Sequence, residues 1–137
     1  MASKIRRVNY YHMTVHDQPG EAYRLLSMLA VEGLNLMAFT AVPVGPAQTQ
    51  FTLFPEEKAK FVTQAKEAGI HLDGPYPAIL VQGDDYVGVL ADIHQKLYEA
   101  NVNVYAANAV TDGKGDFGYV IYVRESDFED ASRSLGI

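Results

Sequence analysis

The sequence predicts an α+β protein, one βαββαβ unit written twice in 137 residues. Three observations predict it. Val8 to Val15 alternates as a half-buried strand does, then runs into turn residues and a helix-like stripe. That stripe stops at Glu32-Gly33, and Leu34-Asn35-Leu36 opens a second strand. The order then recurs 68 positions later without a gap: Gly20 matches Gly88, Leu29 Leu97, Asn35 Asn103, Ala38 Ala106 and Gly45 Gly113.

Taken in order, residues 1–7 read as an arm-like lead-in. Along the first strand Tyr11, Met13 and Val15 share one face, with Tyr10, His12, Thr14 and His16 on the other. Asp17-Gln18-Pro19-Gly20 is turn chemistry before a helix: Asp can cap free amides, and Pro suits the first turn because it has no donor to lose. Ala22, Leu25, Leu26 and Leu29 form the helix's core stripe, and Gly33 is its C-terminal cap. Leu34 to Val42 is a strand apolar on both faces. Pro43-Val44-Gly45-Pro46 turns the chain into the strand Gln48 to Phe54. A helix opens at Pro55-Glu56-Glu57, uses Phe61, Ala65 and Ala68, and ends at Gly69. Ile70-His71-Leu72 reads as a short fourth strand and Asp73-Gly74-Pro75-Tyr76-Pro77 as a linker.

The second half follows the same plan. Ala78 to Gln82 is a strand, Gly83 to Gly88 a loop, and Leu90, Ile93 and Leu97 a helix stripe. Val102 to Val110 and Gly118 to Val123 are strands around a turn at 111–116. Ser126 to Leu135 is a helix with a Ser126–Glu129 capping box. Gly136-Ile137 matches Gly69-Ile70, so the second unit lacks a full fourth strand. Its open edge needs a cover, and the N-terminal arm and a neighbouring chain are the candidates. The division is residues 1–74 and 75–137. Each half would bury only about 60% of its unfolded surface, so the units are expected to need each other and a second chain.

Two helices segregated to one face of a four-stranded antiparallel sheet is the ferredoxin-like architecture. The two sheets are expected side by side, joined through their second strands into one sheet of about eight, because Phe39, Ala41, Ala107 and Ala109 present apolar outer positions there.

Composition narrows the function. There is no cysteine, which excludes thiolate chemistry and disulfides, and no apolar run reaches the ~18 residues of a membrane span. The lead-in has basic residues without an apolar stretch behind them, so it is no secretory signal and the expected location is cytoplasmic. A net charge of −6 argues against nucleic acid as partner. Residues 1–72 carry seven basic and six acidic side chains, and residues 73–137 four and eleven. That asymmetry reads as solubility or as preference for a cationic group such as an ammonium.

Val15-His16-Asp17-Gln18-Pro19-Gly20, with Gly33-Leu34-Asn35-Leu36 after the helix, resembles the ACT domain family. Its members run a strand into a D-x-P-G or N-x-P-G loop and open the next strand with G-[IVL]-N-[IVL]. The second half keeps Gly88 and Asn103-Val104 but has Tyr86-Val87 in place of x-Pro. The resemblance implies a small-molecule sensor, most often for amino acids; it covers nearly the whole chain as a tandem pair, so no attached catalytic domain is expected here. It also implies a ligand where one unit's first loop meets its neighbour's second strand: Asp17, Gln18, Pro19 and Gly20 with Asn103, and Asp84, Asp85, Tyr86, Val87 and Gly88 with Asn35.

The residues support the same chemistry. Free amides at a helix start attract a carboxylate, glycine admits it close to the backbone, and Asp side chains receive an ammonium. The bland alternative is that Asp17 only caps a helix and the glycines only permit packing. His12 and His16 sit roughly 13 Å apart along a strand, too far to share one ion, and His71 and His94 have no evident partners. Tyr105, Tyr119 and Tyr122 are expected to pack between units or chains. No acid–base or nucleophile constellation appears, so no enzyme, cofactor or metal is expected. The reading is a stand-alone regulatory protein binding an amino acid, homodimeric, with a partner enzyme or regulator downstream. The alternative is an interaction module of the same fold that binds no ligand.

Overall fold

A computed structural model describes residues 3–137; Met1 and Ala2 of the expected lead-in lie outside them. The elements are β1 (Lys4–His16), α1 (Glu21–Val31), β2 (Leu36–Pro43), β3 (Gln48–Pro55), α2 (Lys58–Glu67), β4 (Asp73–Asp84), α3 (Val89–Glu99), β5 (Val104–Thr111), β6 (Asp116–Val123), a 3-10 turn at Glu125–Asp127 and α4 (Phe128–Ser134). They form two compact units. Residues 9–76 make the first; residues 3–8 with Pro77–Ile137 make the second.

In the first unit the strands run β2-β3-β1, followed by residues 73–76 of β4. β1 pairs antiparallel with β3 from Tyr11↔Leu53 to His16↔Gln48. The alternation read from sequence holds: Tyr11, Met13 and Val15 face the helices. Tyr11, Phe51 and Leu53 pack there against Leu25, Leu29 and Phe61.

In the second unit the order is residues 4–8 of β1, then β4, β6 and β5. β4 pairs with β6 from Ile79↔Ile121 to Asp84↔Asp116. Ile79, Val81 and Ile121 lie under Ile93, Leu97, Phe128 and Leu135. Full burial of one such side chain is worth about 1.5–3 kcal/mol, and Leu97 is almost wholly enclosed. The helices end alike. Gly33, Gly69, Asn101 and Gly136 take left-handed backbone, and the next residue's amide reaches back to a carbonyl five earlier, as in Leu34 N–H to Leu29 O.

Several expectations are corrected. The fourth strand of the first unit is 73–76, not Ile70-His71-Leu72, which lies outside any strand. The turn-rich composition of 73–77 misleads because Gly74 serves a close approach: a Cβ there would sit 2.9 Å from the Tyr10 carbonyl oxygen. The gap in the second unit is filled by the N-terminal segment, one of the two covers anticipated, so the boundary at 74/75 does not describe its N-terminal strand. The second strands do not join. Among the described residues β2 pairs with β3 alone, inside the first unit, and β5 with β6 alone, inside the second. β1 and β4 are each divided, with one segment in either unit. The Ser126–Glu129 capping box does not form; Glu129 binds Arg7 instead. Leu26, Ala68 and Leu90 are exposed, and Val89 supplies the missing contact in α3.

Candidate functional site

Each unit hands a strand to a helix through a short loop, and the two loops are built alike. Asp17 N–H donates to the Ala47 carbonyl at 2.9 Å, and Asp85 N–H to the Gly115 carbonyl at 2.8 Å. Both donors and both acceptors are related by the same 68-residue step. Each loop is therefore pinned to the hairpin turn of its own unit.

The helices then start without a side-chain cap. Gly20 and Gly88 occupy the N-cap positions with φ of 91° and 92°, and among the described residues neither helix start has a side-chain cap hydrogen bond. A Cβ at either glycine would meet none of the described residues within 4 Å. The left-handed φ demands glycine, and the open space keeps the first helical turn approachable. The expectation that Asp17 caps α1 is corrected: its carboxylate makes no cap bond, because Gly20 holds the cap position.

The surrounding side chains differ between the loops. In the first, Gln18 Nε2 donates to Glu21 Oε1 at 2.6 Å, and Arg24 donates to Glu21 Oε2 at 3.2 Å. In the second, Tyr86 OH donates to Asp92 Oδ2 at 2.6 Å. That bond, ahead of the Asp92 charge, raises the Tyr86 phenol pKa. Both loops use an acid of the first helical turn to hold a loop side chain. At the strand ends His16 faces Gln48 in the first unit, and Asp84 faces Asp116 in the second. The second loop is the acidic one, and Asp85, Val87 and Gly88 are exposed around it.

Asn35 and Asn103 are both exposed at the starts of the second strands. Asn35 Nδ2 donates to Glu56 Oε1 at 3.4 Å, and its carbonyl accepts from Glu56 N–H at 3.1 Å. Asp17 to Gly20 and Asn35 thus stand in the first unit, Asp84 to Gly88 and Asn103 in the second. His12 Nδ1 lies 3.1 Å from Thr52 Oγ1, a bond within the sheet. A shallow depression of about 350 Å³ lies elsewhere in the first unit, lined by Val62, Lys66, Ile70 and His71 among others; no loop residue lines it.

Sequence reasoning missed one polar pair. His94 Nε2 lies 2.6 Å from Tyr119 OH, so His94 does have a partner. Tyr119 is buried under α3, and that burial raises its pKa. The 68-residue register could have found the pair, since it replaces Leu26 and Phe51 together. Tyr105 lies exposed, with its ring centroid 6.4 Å from that of Tyr122.

No family model and no curated protein matches the chain. Solved structures do. Protein BT0572 from Bacteroides thetaiotaomicron superposes with a TM-score of 0.81 at 14% identity, over 96% of this chain and 88% of that one. The ligand-free regulatory subunit of aspartate kinase from Thermus thermophilus gives 0.63 at 16%, over 98% and 95%. The regulatory subunit of aspartate kinase from Thermus flavus gives 0.56 at 17%, over 98% and 93%. At these identities the likeness is one of fold, and the fold is the tandem ACT-like, ferredoxin-like arrangement read from the sequence. Among the described residues no helix is long and apolar enough to cross a membrane.

Proposed function

We propose that the chain is a regulatory sensor of a free amino acid, taken up at the strand–helix loops. One observation carries this. Both loops present an uncapped helix start behind an unobstructed left-handed glycine. Such a start attracts a carboxylate. Asp17 beside the first loop, and Asp84 and Asp85 beside the second, are ammonium acceptors. Asn35 and Asn103 can both donate and accept. The fold shared with regulatory subunits of aspartate kinase supports the reading.

Ligand works by differential affinity: it favours the conformation that holds it better, and a partner enzyme or regulator reads that shift. The chain acts as a homodimer, and a sedimentation run at micromolar concentration that shows only monomer removes that element.

The experiment is a thermal-shift screen against the twenty amino acids. Ligand at 100 times its dissociation constant adds about 2.7 kcal/mol of stability. Asp17→Ala and Asn103→Ala, the pair implied by the resemblance, then weaken the hit while the protein stays folded. Unchanged affinity in both variants moves the site elsewhere. A flat screen favours the second reading, an interaction module without ligand. For that reading the supporting feature is β5, eight uncharged residues exposed along nearly their whole length, with Tyr105 at 56% and Val110 at 72%.

A further inference from the structure

The second unit borrows its outermost strand from the far end of the chain: Val8 is buried there, while Lys4 and Arg7 are exposed. Ile5 and Arg7 point toward the helices. Ile5 is only partly buried against the core. Arg7 Nη1 forks onto Glu129 at 2.9 and 3.0 Å, and Nη2 donates to the Ile137 carbonyl at 3.0 Å. Its guanidinium carbon also lies 5.7 Å from the Phe128 ring centroid. The ion pair is open to solvent, with Arg7 and Glu129 side chains 46% and 66% exposed. On the other face Arg6 Nη2 reaches Gln82 at 3.3 Å, also at the surface. β6, on the opposite side of β4, is held by Phe117, Tyr119, Ile121 and Val123, all buried.

The acceptor is shaped for this occupant. Gly83 has no left-handed φ to explain it, yet a Cβ there would lie 2.6 Å from Ser3 Cα. Glycine at 83 thus answers a close approach of the N-terminal strand, not a turn.

We propose that the edge of β4, with Phe128, Glu129 and the Ile137 carbonyl, is a strand-accepting site. It takes an extended basic segment with an isoleucine two places before an arginine. Residues 3–8 are its resident and exchangeable occupant, and the same residues of a second copy take their place. The backbone ladder supplies general affinity, and the isoleucine and arginine supply selection. An open strand edge is a template for whatever extended chain fits it. This site is separate from the loops of the proposed function and stands whether or not an amino acid binds there.

The test uses the full chain. In unmodified protein, hydrogen exchange at residues 4–8 runs at least about a hundredfold faster than at β6, because the strand opens without the core. In full-length Arg7→Ala the resident strand is loosened and the acceptor left intact. A fluorescent peptide spanning residues 3–8 binds this variant saturably. Adding Glu129→Ala to the same chain, or Arg7→Ala to the peptide, weakens binding about tenfold. Gly83→Ala, combined with Arg7→Ala, abolishes it. Protection at 4–8 equal to that of β6 overturns the proposal. So does failure of the peptide to bind Arg7→Ala, or binding indifferent to Glu129.

Discussion

In the first unit Leu26 and Phe51 stand where the second has His94 and Tyr119. Ala65 stands where the second, after a one-residue deletion, has the buried Ser132. The positions that set the backbone do not drift in this way. Gly20 and Gly88 both cap with left-handed φ, and Gly33 and Asn101 both end a helix in that region. The register shifts at Leu36/Ala38 and Val104/Ala106 fall at the same step. The scaffold is thus repeated through its turns and bulges, while side-chain chemistry inside it is free to diverge. A buried polar group is tolerated when another one meets it, as His94 meets Tyr119.

The largest test of this comparison is in the cores. Leu29→Ala and Leu97→Ala remove equivalent side chains, and each costs about 2–5 kcal/mol. β1 and β4 contribute strands to both units. Either substitution should therefore shift a single urea transition. Two separated transitions would show that each unit unfolds by itself.

A smaller effect sharpens the divergence. Tyr119→Phe leaves a ring nitrogen of His94 without its partner and costs about 1 kcal/mol. Adding His94→Leu recreates the apolar pair of the first unit and recovers most of that loss. A double-mutant cycle by denaturation reads the coupling, and additivity would mean that the hydrogen bond contributes nothing.

The same phenol gives a pH dependence. Burial raises the pKa of Tyr119 in the second unit and of Tyr11 in the first above the ordinary 10.0. The folded state then keeps its protons to higher pH than the unfolded chain. Stability is full below pH 10.0 and falls as the pH rises past it. Denaturation midpoints between about pH 9 and 11 should fall less steeply in Tyr119→Phe and in Tyr11→Phe.

The smallest effect is at Ser132. Its hydroxyl is buried with no hydrogen-bond partner among the described residues. Ser132→Ala, which copies Ala65, should change stability by less than about 1 kcal/mol and in the stabilising direction. A clear loss would reveal a bond that the hydroxyl makes.

The geometry of the two loops was legible in sequence because it depends on backbone conformation. Asp17-Gln18-Pro19-Gly20 announces a tight strand-to-helix turn, and Gly88 repeats it. Capping was not legible: Asp17 is a good cap by type, but Gly20 took the position, and Glu129 went to Arg7, 122 residues away. His94 and Tyr119, 25 apart, meet only when β6 runs beneath α3.

By itself the sequence determined the repeat, the helix stripes, the inward face of β1 and the glycines that turn the chain. These follow from local periodicity and from φ values that only glycine takes at low cost. Only the tertiary structure decided which strand completes which unit. Residues 3–8 and 73–76 carry little pattern of their own. Their places are set by whichever sheet edge offers free hydrogen-bonding groups. A backbone edge has no residue code, so pairing across it is chosen by space: the missing Cβ atoms of Gly74 and Gly83, and an arginine long enough to reach α4.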